Sequence, residues 1–372
     1  MPKIAIYGAK SIALGIYEAI HFLYPQFPCV GFIVSSKRGN PATLAGLKVW
    51  EIFEFRDGIS SQELEDIRIL IATPENLHSE IMAYLDTNGL HNYICMDSHR
   101  EAELMERYFA LQEKFRSLHS LSMGRHRTEI CVYQTKFYKD KRLGKLCGLP
   151  DWVIPLQVGT KLSPGRLAKC FCFDNTGENI SAKNGNYCEL TGLYWMWKNR
   201  LQEKTETSSA QGNRKMEKDY YGLFHYRRVL DIRKEDLYRL AENKVDVILP
   251  FPMLHEPDIT EHHARYIAES DWEAMLQALW ELWPDYASAC PEVFHQRYFY
   301  NYNLIVARRQ ILADYCAWLF PVLERTEQLS VPGGWERCDR YIGYLGENLM
   351  TLYFFYHKND FNIVHTGRIM LT

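Results

Sequence analysis

Short apolar runs recur through the first hundred residues: IAIYG, CVGFIVS, RILIAT at 68–73 and NYICM. Between them, apolar positions return every three to four residues, over Ser11–Leu23 and Asn76–Asn88. The runs predict strands and the intervening stretches helices, an alternation that implies a parallel, Rossmann-like sheet. From Ser98 to Leu121, the residues Leu104, Tyr108, Leu111, Phe115 and Leu118 follow at spacings of four, three, four and three. This is a helix with one apolar stripe, read as a connector between domains. The alternative is that the stripe pairs two chains and makes a homo-oligomer.

Past the connector the pattern becomes mixed. EICVY at 129–133 opens a second set of β-like runs, continued at 219–225, 245–249 and 299–306, while helical periods fall at 187–200, 234–243, 271–282, 308–326 and 340–357. The expected fold class is α/β, with a Rossmann-like N-terminal module over 1–97, a connecting helix over 98–122 and a second, mixed α/β domain over 128–372. The polar stretch between Leu201 and Asp219 has no apolar period and reads as a loop beside the site, either a lid or a tolerated surface insertion.

A chain of 372 residues exceeds one ordinary core, which agrees with two domains, and 47% hydrophobic with 24% charged residues is a globular composition. The formal charge of −3 leaves no basic footprint, so nucleic acid is not expected as a partner. No apolar run reaches the roughly 20 residues that cross a bilayer, and the opening MPKIAIYG reads as a first strand, so a cytoplasmic location is expected. The ten cysteines are scattered without a C-x-x-C pair, which points to reduced thiols rather than zinc or disulfides. Gly8 and Gly15 lack the G-x-G-x-x-G spacing that brings a backbone against a pyrophosphate, and a nicotinamide oxidoreductase would rest on those two glycines alone.

Three clusters carry chemistry: DNTGENISAKN, YCELTGLYWMWKN and GLFHYRR. Lys183, Asn184, Glu189, Lys198, His225, Arg227 and Arg228 stand among apolar neighbours, where an unpaired charge costs several kcal/mol, and a polar pocket accounts for them. The first cluster is rich in turn formers, Asn179 among them, that expose hydrogen-bonding groups. Its Asp174 and Glu178 could together hold a divalent cation, Mg or Mn, although the Asp-x-Asp of metal-dependent nucleotide-sugar enzymes is absent; no cofactor is certain. In the second cluster, one helix face presents Leu190, Tyr194 and Trp197 to the core and leaves Trp195 and Lys198 about one turn apart. In the third, the strand YYGLF delivers His225, Tyr226, Arg227 and Arg228 at its carboxyl end, where open α/β sheets bind ligands. Two forked guanidinium groups match a phosphate; an ion pair with Asp231 is the alternative. His225 and Glu347, the latter from RYIGYLGENL, are candidates for a general base, with a structural pair between Glu347 and Arg340 the bland reading.

These motifs also carry a likeness. IPLQVG at Ile154–Gly159, D-x-T-G-x-N-I-S-x-K-N at Asp174–Asn184, Y-C-E-L-T-x-x-Y-W-x-W-K-N at Tyr187–Asn199 and G-L-x-H-Y-R-R at Gly222–Arg228 resemble the capsular and exopolysaccharide glycosyltransferase family first catalogued as domain of unknown function 4422. Later pieces are similar too: a His-rich turn at His262 and His263, Y-N-x-x-I at Tyr302–Val306, Y-C-x-W-L-F at Tyr315–Phe320 and G-x-x-x-E at Gly343–Glu347. The resemblance implies a GT-A-like domain that moves a hexose, galactopyranose or galactofuranose, from a nucleotide-diphosphate sugar to a glycan or lipid-linked acceptor at the inner face of the membrane. Peripheral membrane association is part of that expectation. Lys183, Asn184, Asn179, Glu189, Tyr226, Arg227 and Arg228 would bind the donor, and Trp195, Lys198, His263 and Asn303 would meet the sugar or acceptor. His225 and Glu347 would be catalytic. Where the family has Thr-His-Lys at its opening strand this chain has Gln134, Thr135 and Lys136. Residues 1–97 resemble small Rossmann-like modules attached to sugar-modifying and acyl-transfer enzymes, which hints at scaffolding or regulation. The competing functional class is a non-catalytic module that binds a nucleotide sugar or glycan.

Overall fold

The computed structural model describes residues 2–143, 148–202 and 218–372. The polar stretch read as a lid or insertion falls almost wholly outside them, at 203–217. The apolar runs of the first hundred residues form a six-stranded sheet from β1 (Lys3–Tyr7), β2 (Cys29–Val34), β3 (Thr43–Leu44), β4 (Leu47–Glu51), β5 (Ile67–Ile71) and β6 (Tyr93–Cys95), in the order β3-β4-β2-β1-β5-β6. All neighbours are parallel except the β3–β4 hairpin. Its central strands are apolar on both faces because helices cover both: Ile6 and Phe32 pack on one side, Ala5 and Ile33 on the other. Gly8 follows β1 with φ 122°, and a Cβ there would lie 2.6 Å from the Ala72 carbonyl, so the turn itself requires glycine.

The connecting helix runs only over Ser98–Leu111, not on to Leu121. The chain leaves the helix through left-handed Glu113 (φ 54°) and Phe115 (φ 51°), and Phe115 then packs edge-on against Phe109 and Tyr298. Tertiary burial of Phe115 and Leu118 thus overrides a helical spacing that continues in the sequence. Leu104 and Tyr108 of the stripe are buried, together with Phe109, against Leu14 and Ile16 of the Ser11–Leu23 helix, while Leu111 at the helix end remains 67% exposed.

The second sheet uses β7 (Ile130–Lys136), β8 (Val153–Gln157), β9 (Cys172–Phe173), β10 (Tyr220–Phe224), β12 (Val247–Pro250), β15 (Ile305–Arg308) and β16 (Ile363–Thr366), ordered β16-β12-β15-β10-β7-β8-β9. The remaining short strands are β11 (Arg228–Leu230), paired with β17 (Arg368–Met370), and β13 (Met253–Leu254), paired with β14 (Tyr298–Phe299). Only β15 runs antiparallel to its neighbours in the seven-stranded sheet. Side chains alternate across it: Cys131, Tyr133 and Leu223 join the helices Glu269–Leu282, Arg309–Leu329 and Tyr341–Tyr356 on one face, while Val132, Tyr220 and Phe224 pack on the other. Each fully buried Leu or Val contributes about 1.5–3 kcal/mol to that packing. Among the described residues no helix is long and apolar enough to cross a membrane.

The two sheets are joined by packing and polar contacts. Phe109 stacks on Phe251 at 5.6 Å, Arg297 pairs with Glu18 at 2.7 Å, and both carboxylate oxygens of Glu256 accept from the Ala45 N–H at 3.0 Å. The Ser11 and Pro74 turns that follow β1 and β5 line the same cavity as the turns after β7 and β10. The carboxyl ends of both parallel arrays therefore open onto one space.

Candidate functional site

β10 lies between β7 and β15, and its Gly222 is required there, since a Cβ would sit 2.5 Å from the Ile305 carbonyl. Beyond Phe224 the chain reverses at once. His225 and Arg228 exchange backbone hydrogen bonds at 3.1 and 3.3 Å, which leaves Tyr226 and Arg227 at the tip of a two-residue turn. Gln134 Nε2 donates to the Tyr226 carbonyl at 2.9 Å, Thr135 Oγ1 to the Phe224 carbonyl at 3.2 Å, and the Leu371 N–H to the Arg227 carbonyl at 2.8 Å. Gln134 and Thr135 thus fasten the arginine turn from below.

The turn faces a cavity of about 1040 Å³. Asn184, Glu189, His225, Tyr226, Arg227, Arg228 and Glu347, all singled out from the sequence, line it together. Neither arginine has a carboxylate within ion-pair distance among the described residues. Asp231 pairs instead with Arg233 at 3.1 Å, Arg228 lies over the Tyr302 ring at 4.0 Å, and Arg227 Nε is buried without a hydrogen-bond partner. A buried donor with no partner costs about 1–3 kcal/mol, which an anionic ligand in the cavity would recover.

The expected helix over 187–200 is broken at this wall. Asn184–Tyr187 and Leu190–Met196 are separate helices, followed by a π-helical turn over Trp197–Leu201. The break is Cys188, at φ 51° and ψ −129°, whose carbonyl accepts from Asn184 Nδ2 at 2.7 Å. Such strain in a non-glycine residue belongs with functional sites, and here it turns Cys188 and Glu189 into the cavity. Burial pushes the Cys188 thiol up to about 12, so it stays a neutral thiol and is not a nucleophile. Its Sγ accepts from Arg340 Nε at 3.3 Å, and Arg340, itself left-handed at φ 70°, adds a third guanidinium to the lining.

The expected strand over 299–306 is likewise interrupted, by left-handed Tyr302 (φ 69°) and Asn303 (φ 50°). This kink points Tyr302 at the cavity and lets Asn303 Nδ2 donate to Glu189 Oε1 at 2.8 Å. Glu189 and Glu347 are both enclosed. Burial raises both carboxyls, and the Glu189 charge adds to the rise at Glu347, which is carried to about 8. Glu347 has no ion pair with Arg340. His262 Nε2 approaches it at 3.7 Å, but burial holds that imidazole down at about 3, so the two meet as neutral groups at pH 7. His225 is pushed to about 3 as well, by burial and then by Arg228, Arg227 and Arg340. Elsewhere in the lining burial lifts Asp140 to about 6. The lining gathers Lys139, Lys141, Arg227, Arg228, Arg265 and Arg340 against Asp140, Glu189 and Glu347. An excess of cations here, in a chain of formal charge −3, marks an anion site.

Other candidates lie elsewhere. Lys183 Nζ pairs with buried Glu327 and sits over the Tyr187 ring, because that carboxylate needs a counter-charge in the core. Asn179 closes its own turn by donating to the Gly177 carbonyl at 2.8 Å. Trp195 is a core residue, edge-on to Tyr133, with its Nε1 donating to Thr176 Oγ1 at 2.9 Å. Lys198 pairs with Glu178 at 3.1 Å and covers the Trp197 ring. His263 stacks on Trp272 at 4.1 Å, and the preceding His262 faces the cavity in its place. Asn303 stands one layer behind, on Glu189. Asp174 is not available to a cation: its two oxygens accept from the Gly159 and Thr160 N–H groups and from Ser181 and Thr191 hydroxyls at 2.6–3.0 Å, while Glu178 turns to Tyr194 and Lys198. Among the described residues no group of three or more His, Cys, Asp or Glu is arranged to hold a metal ion. Sequence reasoning misses Asp140, Cys188 and Arg340 as lining groups. The signal for Arg340 is its place in RYIGYLGENL, where it reads as a partner for Glu347.

The two sheets and this cleft make a mixed α/β fold of the kind seen in a glycosyltransferase of known structure. The apo structure of WbbM, a bifunctional glycosyltransferase, matches with a TM-score of 0.52 at 24% identity, covering 66% of this chain and 46% of its own, so this chain spans less than half the length of that protein. The family model described as Domain of unknown function (DUF4422) matches residues 147–359, and the chain belongs to that family. An engineered D-amino acid dehydrogenase bound to NADP+ matches only at a TM-score of 0.20 and 11% identity, over 28% of this chain and 32% of its own, and carries no argument. None of the curated proteins matches.

Proposed function

We propose that the chain is a glycosyltransferase that takes a hexose from a nucleotide-diphosphate sugar, and that the donor lies in the cavity beyond the carboxyl ends of β7, β8 and β10. The observation that carries this reading is the convergence of Arg227, Arg228 and Arg340, none paired with a carboxylate among the described residues, on a space that also holds two enclosed carboxyls. As the bond from sugar to phosphate breaks, negative charge builds on the departing diphosphate. The three guanidinium groups are fixed donors for that charge. Glu347 is the better general base of the two candidates. Its pKa of about 8 is close to working pH, whereas His225 at about 3 holds a proton too weakly and serves as a neutral hydrogen-bonding group. Glu189, held by Asn303, adds its charge to the rise that burial gives the Glu347 pKa, and faces the sugar.

The family resemblance extends this reading to a galactose donor and to a glycan or lipid-linked acceptor of capsule or exopolysaccharide synthesis, met at the inner face of the membrane. The same reading divides the chain into an N-terminal module over 1–97, a connector, and a transferase domain over 128–372. The test is a screen of nucleotide sugars, with and without chelator, for hydrolysis or transfer. Arg227→Ala should lower turnover of the accepted donor by about 10²–10³-fold with unchanged circular dichroism. Wild-type turnover in that variant would remove the arginine turn from the mechanism, and donor binding without any product would make the chain a binding module instead.

A further inference from the structure

A second cavity of about 360 Å³ adjoins the first and shares Ser11, His255 and Arg265 with it. One wall comes from the N-terminal sheet, from the Ala9–Ser11 turn after β1 and from Thr43 of the β3–β4 hairpin; the other is the His255–Arg265 segment, which follows β13. We propose that this cavity binds the second sugar unit of the acceptor glycan, so that the N-terminal sheet is part of the acceptor site and not only a scaffold. The term acceptor rests on the glycosyltransferase reading above.

The lining chemistry differs from that of the first cavity. Lys10 and Arg265 are balanced by Glu256 and Glu261, which leaves no excess charge and suits a neutral polyhydroxylated ligand rather than a phosphate. His255 stands at the boundary, 2% exposed, with its Nδ1 on Glu261 Oε2 at 3.0 Å. That contact puts the ring proton on Nδ1. Nε2 is then a lone pair, buried and without a partner, available to a sugar hydroxyl. Burial and the nearby Arg265 hold the imidazole at about 4, so it remains neutral and keeps that lone pair at physiological pH. A glycan whose terminal unit faces Glu347 in the first cavity would extend past Ser11 and His255 into the second, where Lys10 and Thr43 offer donors on the opposite wall.

The test is calorimetric titration of the full chain with methyl hexosides and with a panel of hexose disaccharides. The wild type should prefer a disaccharide by roughly tenfold, about 1.4 kcal/mol. Thr43→Trp, which fills the second cavity, and His255→Phe, which keeps the ring and removes Nε2, should each bring that preference close to unity while methyl hexoside binding persists. A wild type that shows no preference, or a preference that survives in both folded variants, overturns the proposal. Thermal melting reports folding, and two variants guard against one that fails to fold. Wild-type turnover of nucleotide sugars is measured separately: its absence would defeat the glycosyltransferase reading and leave the disaccharide result standing as glycan binding.

Discussion

Glu347 is fully enclosed in an apolar helix, and a carboxyl with a pKa of about 8 is mostly neutral at pH 7. If it removes the acceptor's proton, only its ionised form is active. Turnover should therefore rise with pH through about 8 and then level off, and Glu347→Gln should abolish that step and cost about 10²–10⁴-fold in kcat. A rate that falls over the same range would make it an acid. Stability moves the other way: the folded pKa lies above the ordinary 4.5, so the contribution of the neutral form is full below about 4.5 and is lost as pH rises through 8. Asp174 is the opposite kind of buried carboxylate. It accepts four hydrogen bonds and meets no solvent, so Asp174→Ala strands the Gly159 and Thr160 N–H groups and the Ser181 hydroxyl, while Thr191 keeps the Cys188 carbonyl as an acceptor. Chemical denaturation should report a loss of about 3 kcal/mol or more, with donor affinity in the folded fraction little changed.

Whether a sequence reveals an element depends on what fixes that element. β10 and its turn were legible because an apolar run ending in His-Tyr-Arg-Arg has few other readings. The seven-strand order was not, because β15 and β16 come from the far end of the chain. The helix over 187–200 failed at Cys188 and the strand over 299–306 failed at Tyr302 and Asn303 because tertiary partners impose a positive φ there, one that Cys188 and Tyr302 disfavour by type and that asparagine tolerates. Those breaks are what bring Glu189, Tyr302 and Asn303 to the site. Conversely Lys183, Lys198 and Trp195 looked functional in one dimension and are consumed by Glu327, Glu178 and Thr176 in three. The element that holds the arginines can be tested directly. In Gly222→Val the new side chain meets the Ile305 carbonyl and the Val306 side chain within 2.6 Å, and β10 cannot shift without carrying its turn. A stability loss of about 1–3 kcal/mol is expected from overpacking, together with weaker donor binding. A variant that melts like the wild type would mean that β10 is free to move.

At the scale of the molecule, a cavity lined from both sheets works only while the two halves keep their relation, and His119 is one of the groups that fixes it. Its Nδ1 meets Glu106 of the Ser98–Leu111 helix at 3.3 Å; its Nε2 meets the Asp231 carbonyl at 3.1 Å and Asp236 at 3.5 Å, both in the segment that follows β11. Burial alone would lower this imidazole's pKa, but hydrogen bonds to Asp236 and Glu106 outweigh it and carry the group to about 10. The cation therefore bridges a carboxylate on the connector and one beneath the second sheet. Since the folded pKa lies above the ordinary 6.5, the bridge's stabilisation is fully present below about 6.5 and is lost progressively as pH rises to 10. Wild-type unfolding free energy should fall across that window by on the order of 3 kcal/mol relative to His119→Gln, and the two curves should converge near its upper end. Taking the difference between them removes titrations common to both proteins, Glu347 among them. Parallel curves would mean that the connector is held by apolar packing of Phe109 and Phe115 alone.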